Sequence, residues 1–135
     1  MRIAIAEARR GDLPFGAVIV RDQSELVRAH NVGRKTDDPT AHAEMTAIRH
    51  ALSAHGSAAL RGSTIYASGE PCAMCMGAIL WCGLGRVVFA ASVLQLSHKL
   101  GQIMISSAEI VAKAPFATVS ITGGVLADEA LALFG

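Results

Sequence analysis

His42-Ala43-Glu44 and, about thirty residues further on, Pro71-Cys72-Ala73-Met74-Cys75 constrain this chain more than any other feature. An imidazole and two thiols are ligands for a soft or borderline metal, and here they sit on separate segments that the fold must bring together. Three such ligands with no obvious fourth leave one tetrahedral position of a zinc ion open to water, which is the pattern of a catalytic site and not of a structural one. Glu44 places a carboxylate beside the histidine, where it can move that water's protons.

At 135 residues the chain is read as one domain, residues 1–135, large enough to bury a core without disulfides. Its 52% hydrophobic content beside only 17% charged residues exceeds what a small monomer usually hides, and implies an oligomer, expected to be a homodimer. A formal net charge of +1 gives no strong field to draw in a polyanion. No run approaches the roughly eighteen apolar residues of a membrane helix, and the opening Met1-Arg2-Ile3-Ala4-Ile5-Ala6 meets Glu7 too early for a signal peptide. Three cysteines, two of them in a CxxC pair, suit reduced thiols and metal better than a disulfide framework. The expectation is a soluble, cytoplasmic protein with no membrane partner.

Hydrophobic patterning supplies the elements. Ile3, Ile5, Ala6 and Ala8 ahead of Gly11 read as the end of an amphipathic helix. Phe15 to Val20 and Leu26 to His30, separated by Asp22-Gln23-Ser24, read as a hairpin. Ala41 to Ala54 has helical periodicity, with Thr40 as expected N-cap and Met45, Ile48, Ala51 and Leu52 as its apolar face. Ser63 to Ala67, Ala73 to Leu80 and Arg86 to Ala90 form strand, helix and strand, so these two strands should run parallel. Leu94 to Ile110 reads as mostly helical, Thr118 to Ile121 as a fifth strand, and Leu126 to Leu133 as a closing helix. The pattern predicts an α/β fold, a mixed sheet covered by helices on both faces.

On that frame Cys72 and Cys75, three apart at the start of a helix, share one face, and the helix N-terminus favours their thiolates. His42 and Glu44 are about 200° apart around a regular helix, so both address one site only if it lies off the helix's N-terminal end. Cys82 lies about 10.5 Å further along the helix from Cys75, which makes it a buried core thiol and not a ligand. Trp81, in an apolar helix, reads as a core or subunit-interface residue, and His30, His50 and His55 as ordinary polar positions.

At these motifs the chain resembles the cytidine deaminase-like superfamily of zinc-dependent nucleobase and nucleoside deaminases, whose H-x-E and P-C-x-x-C signature is a known pattern. The resemblance runs from Pro14-Phe15-Gly16-Ala17-Val18 through Asn31, Asp38 to Glu44 and Glu70 to Ala78, to Gly85 to Phe89 and Gly124-Val125-Leu126, nearly the whole chain. It is strongest to the branch of guanine deaminases and bacterial tRNA adenosine deaminases. It implies a three-layer α/β/α sandwich around a five-stranded mixed sheet, one zinc ion per subunit on His42, Cys72 and Cys75, and Glu44 as catalytic proton shuttle. It also implies substrate contacts from Asn31, from the backbone around Ala43, and from Phe15; on their own residues Asn31 reads as a turn position ahead of Val32-Gly33, and Phe15 at least as readily as a core strand position.

The implied activity is hydrolytic deamination of a nucleobase or nucleoside, guanine being the most favoured single substrate. The branch motifs are divided: Met45 to Arg49 and Trp81 resemble the guanine enzymes, whereas Gly85 to Phe89 and Gly124 to Glu129 resemble the tRNA enzymes. Stem-loop binding needs several phosphate contacts, and near-neutral charge with 3 lysines favours a free base or nucleoside over tRNA. Ser92 to Leu100, with His98 as a further candidate contact, matches neither branch and is expected to border the pocket or to form a plain amphipathic helix. From another functional class, the chain could be a non-catalytic interaction module stabilised by zinc.

Overall fold

The computed structural model describes residues 1–135. Five strands form one mixed sheet: β1 (Gly16–Arg21), β2 (Ser24–His30), β3 (Thr64–Gly69), β4 (Arg86–Ala91) and β5 (Ser120–Thr122). Their spatial order is β2-β1-β3-β4-β5. The hairpin β1/β2 and the pair β1/β3 are antiparallel, whereas β3/β4 and β4/β5 are parallel, as the strand–helix–strand spacing predicts. The polarity of the sheet thus changes at β3, and it is off the C-terminal ends of strands at such a point that ligands bind in open α/β sheets.

Helices cover both faces, giving the expected three-layer arrangement. On one face α2 (Ala43–His55) and α4 (Ala73–Cys82), joined by α6 (Ser107–Ala112), bury Ala47, Ile48 and Ile79 against Ile19, Ile65 and Val87 of the sheet. Each such fully enclosed isoleucine contributes about 1.5–3 kcal/mol. On the other face α1 (Arg2–Ala8), α5 (Val93–Ser97) and α7 (Ala127–Leu131) bury Ile5, Leu96 and Ala130 against Ala90 and Ala91. The element between α2 and β3 is α3 (Ser57–Leu60), a single turn too short to carry a periodicity, and Ala132–Phe134 ends the chain as a 3₁₀ turn. None of these helices is long and apolar enough to cross a membrane.

Contact between α1 and β1 is close enough that a Cβ at Gly16 would collide with the backbone of Ala4 and Ala8, so this position takes only glycine. Glu7 on α1, 4% exposed, is bonded to His30 Nδ1 on β2 at 2.9 Å and to Arg10 at 3.1 Å. Burial pushes the Glu7 carboxyl up, but the His30 hydrogen bond and the Arg10 charge outweigh it and leave the group below its ordinary range. His30 is therefore not an ordinary polar position: it ties the first helix to the sheet.

Five expectations are corrected. Thr40 does not cap α2. Its N–H and hydroxyl donate instead to Asp38, at 2.9 and 2.6 Å, in a turn that delays the helix and puts His42 at the N-cap. The buried face of α2 is turned toward Ala43, Ala47, Ile48 and Ala51, and Leu52 is 36% exposed. Leu94 to Ile110 is not one helix but two short ones separated by an irregular stretch, each opened by a serine capping box, Ser92 with Gln95 and Ser106 with Glu109. Trp81 is 80% exposed rather than in the core, stacked at 4.9 Å on exposed Phe116, while Cys82 is only half-buried at the end of α4.

Candidate metal centre and base pocket

Two helix N-termini converge where β3 ends. His42 is the N-cap of α2 and Cys72 the N-cap of α4, both with extended backbone, and Cys75 is fully buried in the first turn of α4. Neither helix has a side-chain cap. Serine, threonine or aspartate at such a position is worth about 1 kcal/mol, so both cap sites forgo that stabilisation to present an imidazole and a thiol. The free N–H groups of each first turn provide positive potential where thiolate charge develops.

The ligand atoms of His42, Cys72 and Cys75 all lie within 4.8 Å of one another. His42 turns Nδ1 toward both sulfurs, at 3.6 Å from Cys72 and 3.7 Å from Cys75. Zinc bonds of about 2.0–2.1 Å to nitrogen and about 2.3 Å to sulfur, at a tetrahedral angle, set the two donors about 3.6 Å apart. One nitrogen and two sulfurs at that spacing fit zinc in both donor type and geometry. A hydrogen bond from the Cys75 thiol, with His42 assisting, lowers Cys72 to about 4 against the opposing push of burial. That same contact, together with burial, pushes Cys75 far up, and the hydrogen bond to Cys72 raises His42.

Beside the cluster is a cavity of about 160 Å³. An apolar cavity of about 150 Å³ accommodates benzene, so this one takes a group of the size of one planar ring system. Glu44, His42 and Cys72 line it together with Leu13, Phe15 and Asn31, with Glu70, and with the stretch Leu100 to Ile103. Glu44 is 6% exposed, and burial raises its carboxyl to about 7, with the Cys72 charge adding to the effect. A carboxyl in that range both accepts and returns a proton near neutrality.

Asn31 is 4% exposed, forms the anticipated turn and lines the cavity. Its Oδ1 accepts from the Gly33 N–H at 3.1 Å, a local turn, which leaves the amide NH₂ without a hydrogen-bond partner within the chain. Phe15 lines the cavity and also packs edge-on against Phe134, centroids 5.4 Å apart. A Cβ at Gly69 would come within 2.8 Å of the Phe15 ring, so glycine at the end of β3 leaves room for that ring. Ala43 is not among the lining residues: its side chain is buried in the main core, and only its backbone N–H, at the first position of α2, has no partner within the helix. His98 is exposed at the C-cap of α5, and of Ser92 to Leu100 only Leu100 reaches the cavity.

Glu70, Leu13 and the stretch Gly101 to Ile103 are cavity residues that the sequence pattern does not single out. Glu70 is 8% exposed, and its two carboxylate oxygens accept from the Val93 N–H at 2.7 Å, the Ser107 N–H at 2.8 Å and the Ser107 hydroxyl at 2.7 Å. Its only signal was its place before Pro71-Cys72.

Residues 1–91 match the cytidine and deoxycytidylate deaminase zinc-binding region. The chain is 38% identical to a tRNA-specific adenosine deaminase of Aquifex aeolicus over 95 residues, 67% of this chain and 63% of that one. It is 47% identical to a guanine deaminase of Bacillus subtilis over 78 residues, 58% of this chain and 50% of that one. These matches span from half to just under two thirds of the curated relatives' lengths. A solved structure from a study of A-to-I editing by tRNA:A34 deaminases superposes with a TM-score of 0.83 at 31% identity, covering 98% of this chain and 96% of that one.

Proposed function

Because the chain belongs to the cytidine and deoxycytidylate deaminase zinc-binding family, we propose that it is a zinc-dependent hydrolase that removes the exocyclic amine of a nucleobase, with guanine the favoured substrate. The observation that carries the reading is the convergence of His42, Cys72 and Cys75 on one point beside a ring-sized cavity that holds buried Glu44. In this reading those three residues hold the metal, which when bound acts as a Lewis acid that makes water a competent nucleophile near neutral pH. Glu44 takes the proton from the attacking water and delivers it to the ring nitrogen beside the amine-bearing carbon. It then transfers the water's second proton to the leaving amine, so that an amidine and water become a lactam and ammonia. Asn31 donates its amide N–H to an acceptor on the base, and Phe15 walls the ring.

The guanine relative, the net charge of +1 and a cavity lined by no lysine or arginine support a small-molecule substrate. The tRNA reading stands second, favoured by the Aquifex aeolicus relative and by the likeness to the tRNA:A34 deaminase structure. Ammonia release from zinc-loaded protein separates the two. Guanine is turned over, and adenine, cytosine, adenosine and an anticodon stem-loop more slowly or not at all; turnover of the stem-loop alone refutes the small-molecule reading.

A homodimer is part of the proposal. The stacked pair Trp81 and Phe116, 80% and 61% exposed, is a flat aromatic surface of the kind that interfaces cover. Trp81→Ser is expected to shift the sedimenting species from dimer to monomer at micromolar concentration, and a monomeric wild type under the same conditions removes the dimer from the proposal. The three free cysteines support a reducing compartment, the cytoplasm.

A further inference from the structure

Once every polar side chain on the cavity wall is assigned to the partner it already has, few side-chain groups remain to recognise a base. His42 and Cys72 belong to the metal cluster, and Glu44 to proton transfer. Both Glu70 oxygens are engaged by three donors, and the Asn31 oxygen is taken by Gly33. Among the side chains, what is left is the Asn31 NH₂ and Gln102, which lines the cavity half-buried and makes no side-chain hydrogen bond within the chain.

Gln102 sits where the backbone does least to hold it. Between Gly101 and Met104 the backbone makes a single hydrogen bond, from the Ile105 N–H to the Ile103 carbonyl. The segment is held through the two helices that flank it, and one side chain bonds the first residue of each. Glu70 accepts from Val93, the first residue of α5, and from Ser107, the first residue of α6. Hydrogen bonds to a buried carboxylate are about twice as strong as neutral ones. Glu70 is itself fixed by its place between the end of β3 and Cys72. A single group therefore references the wall carrying Gln102 to the metal cluster.

We propose that Gln102 reads the polar edge of the bound base and that Glu70 is the positioning residue that holds Gln102 in register with the metal centre. The inference rests on the proposed deamination. The two residues reach the cavity from different elements, Asn31 from just beyond β2 and Gln102 from the segment between α5 and α6. The Asn31 oxygen already accepts one hydrogen bond, from Gly33, whereas both the donor and the acceptor of Gln102 are uncommitted. Gln102 therefore adds to the wall a side chain free to match either a donor or an acceptor on the base.

The test uses the full chain, zinc-loaded, on whichever member of the base, nucleoside and stem-loop panel the wild type turns over. Gln102→Leu is expected to raise KM by about tenfold, the loss of one well-placed hydrogen bond, with kcat within about twofold and zinc retained. Gln102→Glu, an acceptor only, is expected to keep bases that present N–H groups and to lose those that present a ring nitrogen, reordering the panel. Glu70→Gln replaces an acceptor with a donor opposite an N–H and raises KM in the same direction. In the double variant its effect is largely absorbed by Gln102→Leu, because both act through one contact. Should Glu70→Gln fail to fold or to hold zinc, Ser107→Ala, which removes one of the three donors, is expected to raise KM likewise. An unchanged KM in Gln102→Leu, or a cost confined to kcat, overturns the assignment of Gln102; strict additivity of the two substitutions overturns the role of Glu70. A wild type inactive on the whole panel refutes the deamination reading itself, an outcome seen before any variant is made.

Discussion

Glu44→Gln is expected to cut kcat for ammonia release by at least about 10²–10⁴-fold while one zinc per chain stays bound and the fold is unchanged. The reason is positional. Glu44 lies one residue inside α2, two beyond His42, and points off the helix's N-terminal end into the cavity, 6% exposed. Glutamine keeps the shape and the burial but cannot shuttle a proton, so any loss is chemical and not structural. The measurements are steady-state kinetics on the active panel member, zinc content by metal analysis, and thermal unfolding. Loss of kcat without loss of zinc supports the shuttle. A variant with wild-type kcat removes Glu44 from the chemistry, and a wild type that deaminates nothing, with a variant indistinguishable from it, leaves the zinc-stabilised interaction module as the better account.

Cys75→Ala is expected to abolish stoichiometric zinc binding and to lower Tm, and both effects should exceed those of any surface substitution. Cys75 is fully buried in the first turn of α4, where it meets His42 across the gap between two helices. A metal held there links α2 to α4, so its binding free energy adds to folding. A chelator should therefore lower the Tm of the wild type and leave that of Cys75→Ala unmoved. Cys82→Ala is the control: at the far end of α4 and outside the ligand cluster, it should keep zinc. Retained zinc in Cys75→Ala sinks the ligand assignment, and zinc lost from Cys82→Ala contradicts the geometry.

The legible parts of this molecule were those whose signals are local. The H-x-E and P-C-x-x-C spacing announces ligands at two helix starts, and β3-α4-β4 announces a parallel pair, because ligand reach, helix rise and crossover length are properties of a few neighbouring residues. Where Asp38 could take Thr40's hydroxyl, local competition moved the helix start to His42, and preference for a threonine cap misjudged it. The capping box at Ser106 to Glu109 was present in the sequence as S-x-x-E, yet apolar residues on both sides of it masked the break at Gly101 to Ile105.

The sequence by itself determined that three candidate metal donors and a neighbouring carboxylate stand at two helix starts and that β3 and β4 run parallel, since each follows from residue type and short spacing. Only the tertiary structure decided that Glu70 ties the starts of α5 and α6 together, that the Asn31 oxygen accepts from Gly33, and that Gln102 lies on the cavity wall. These contacts join residues 23 and 37 positions apart, or depend on which of two amide atoms is already occupied. Such facts have no signature along a chain, because they arise from how the layers pack and from which hydrogen-bond partners remain once the core has formed.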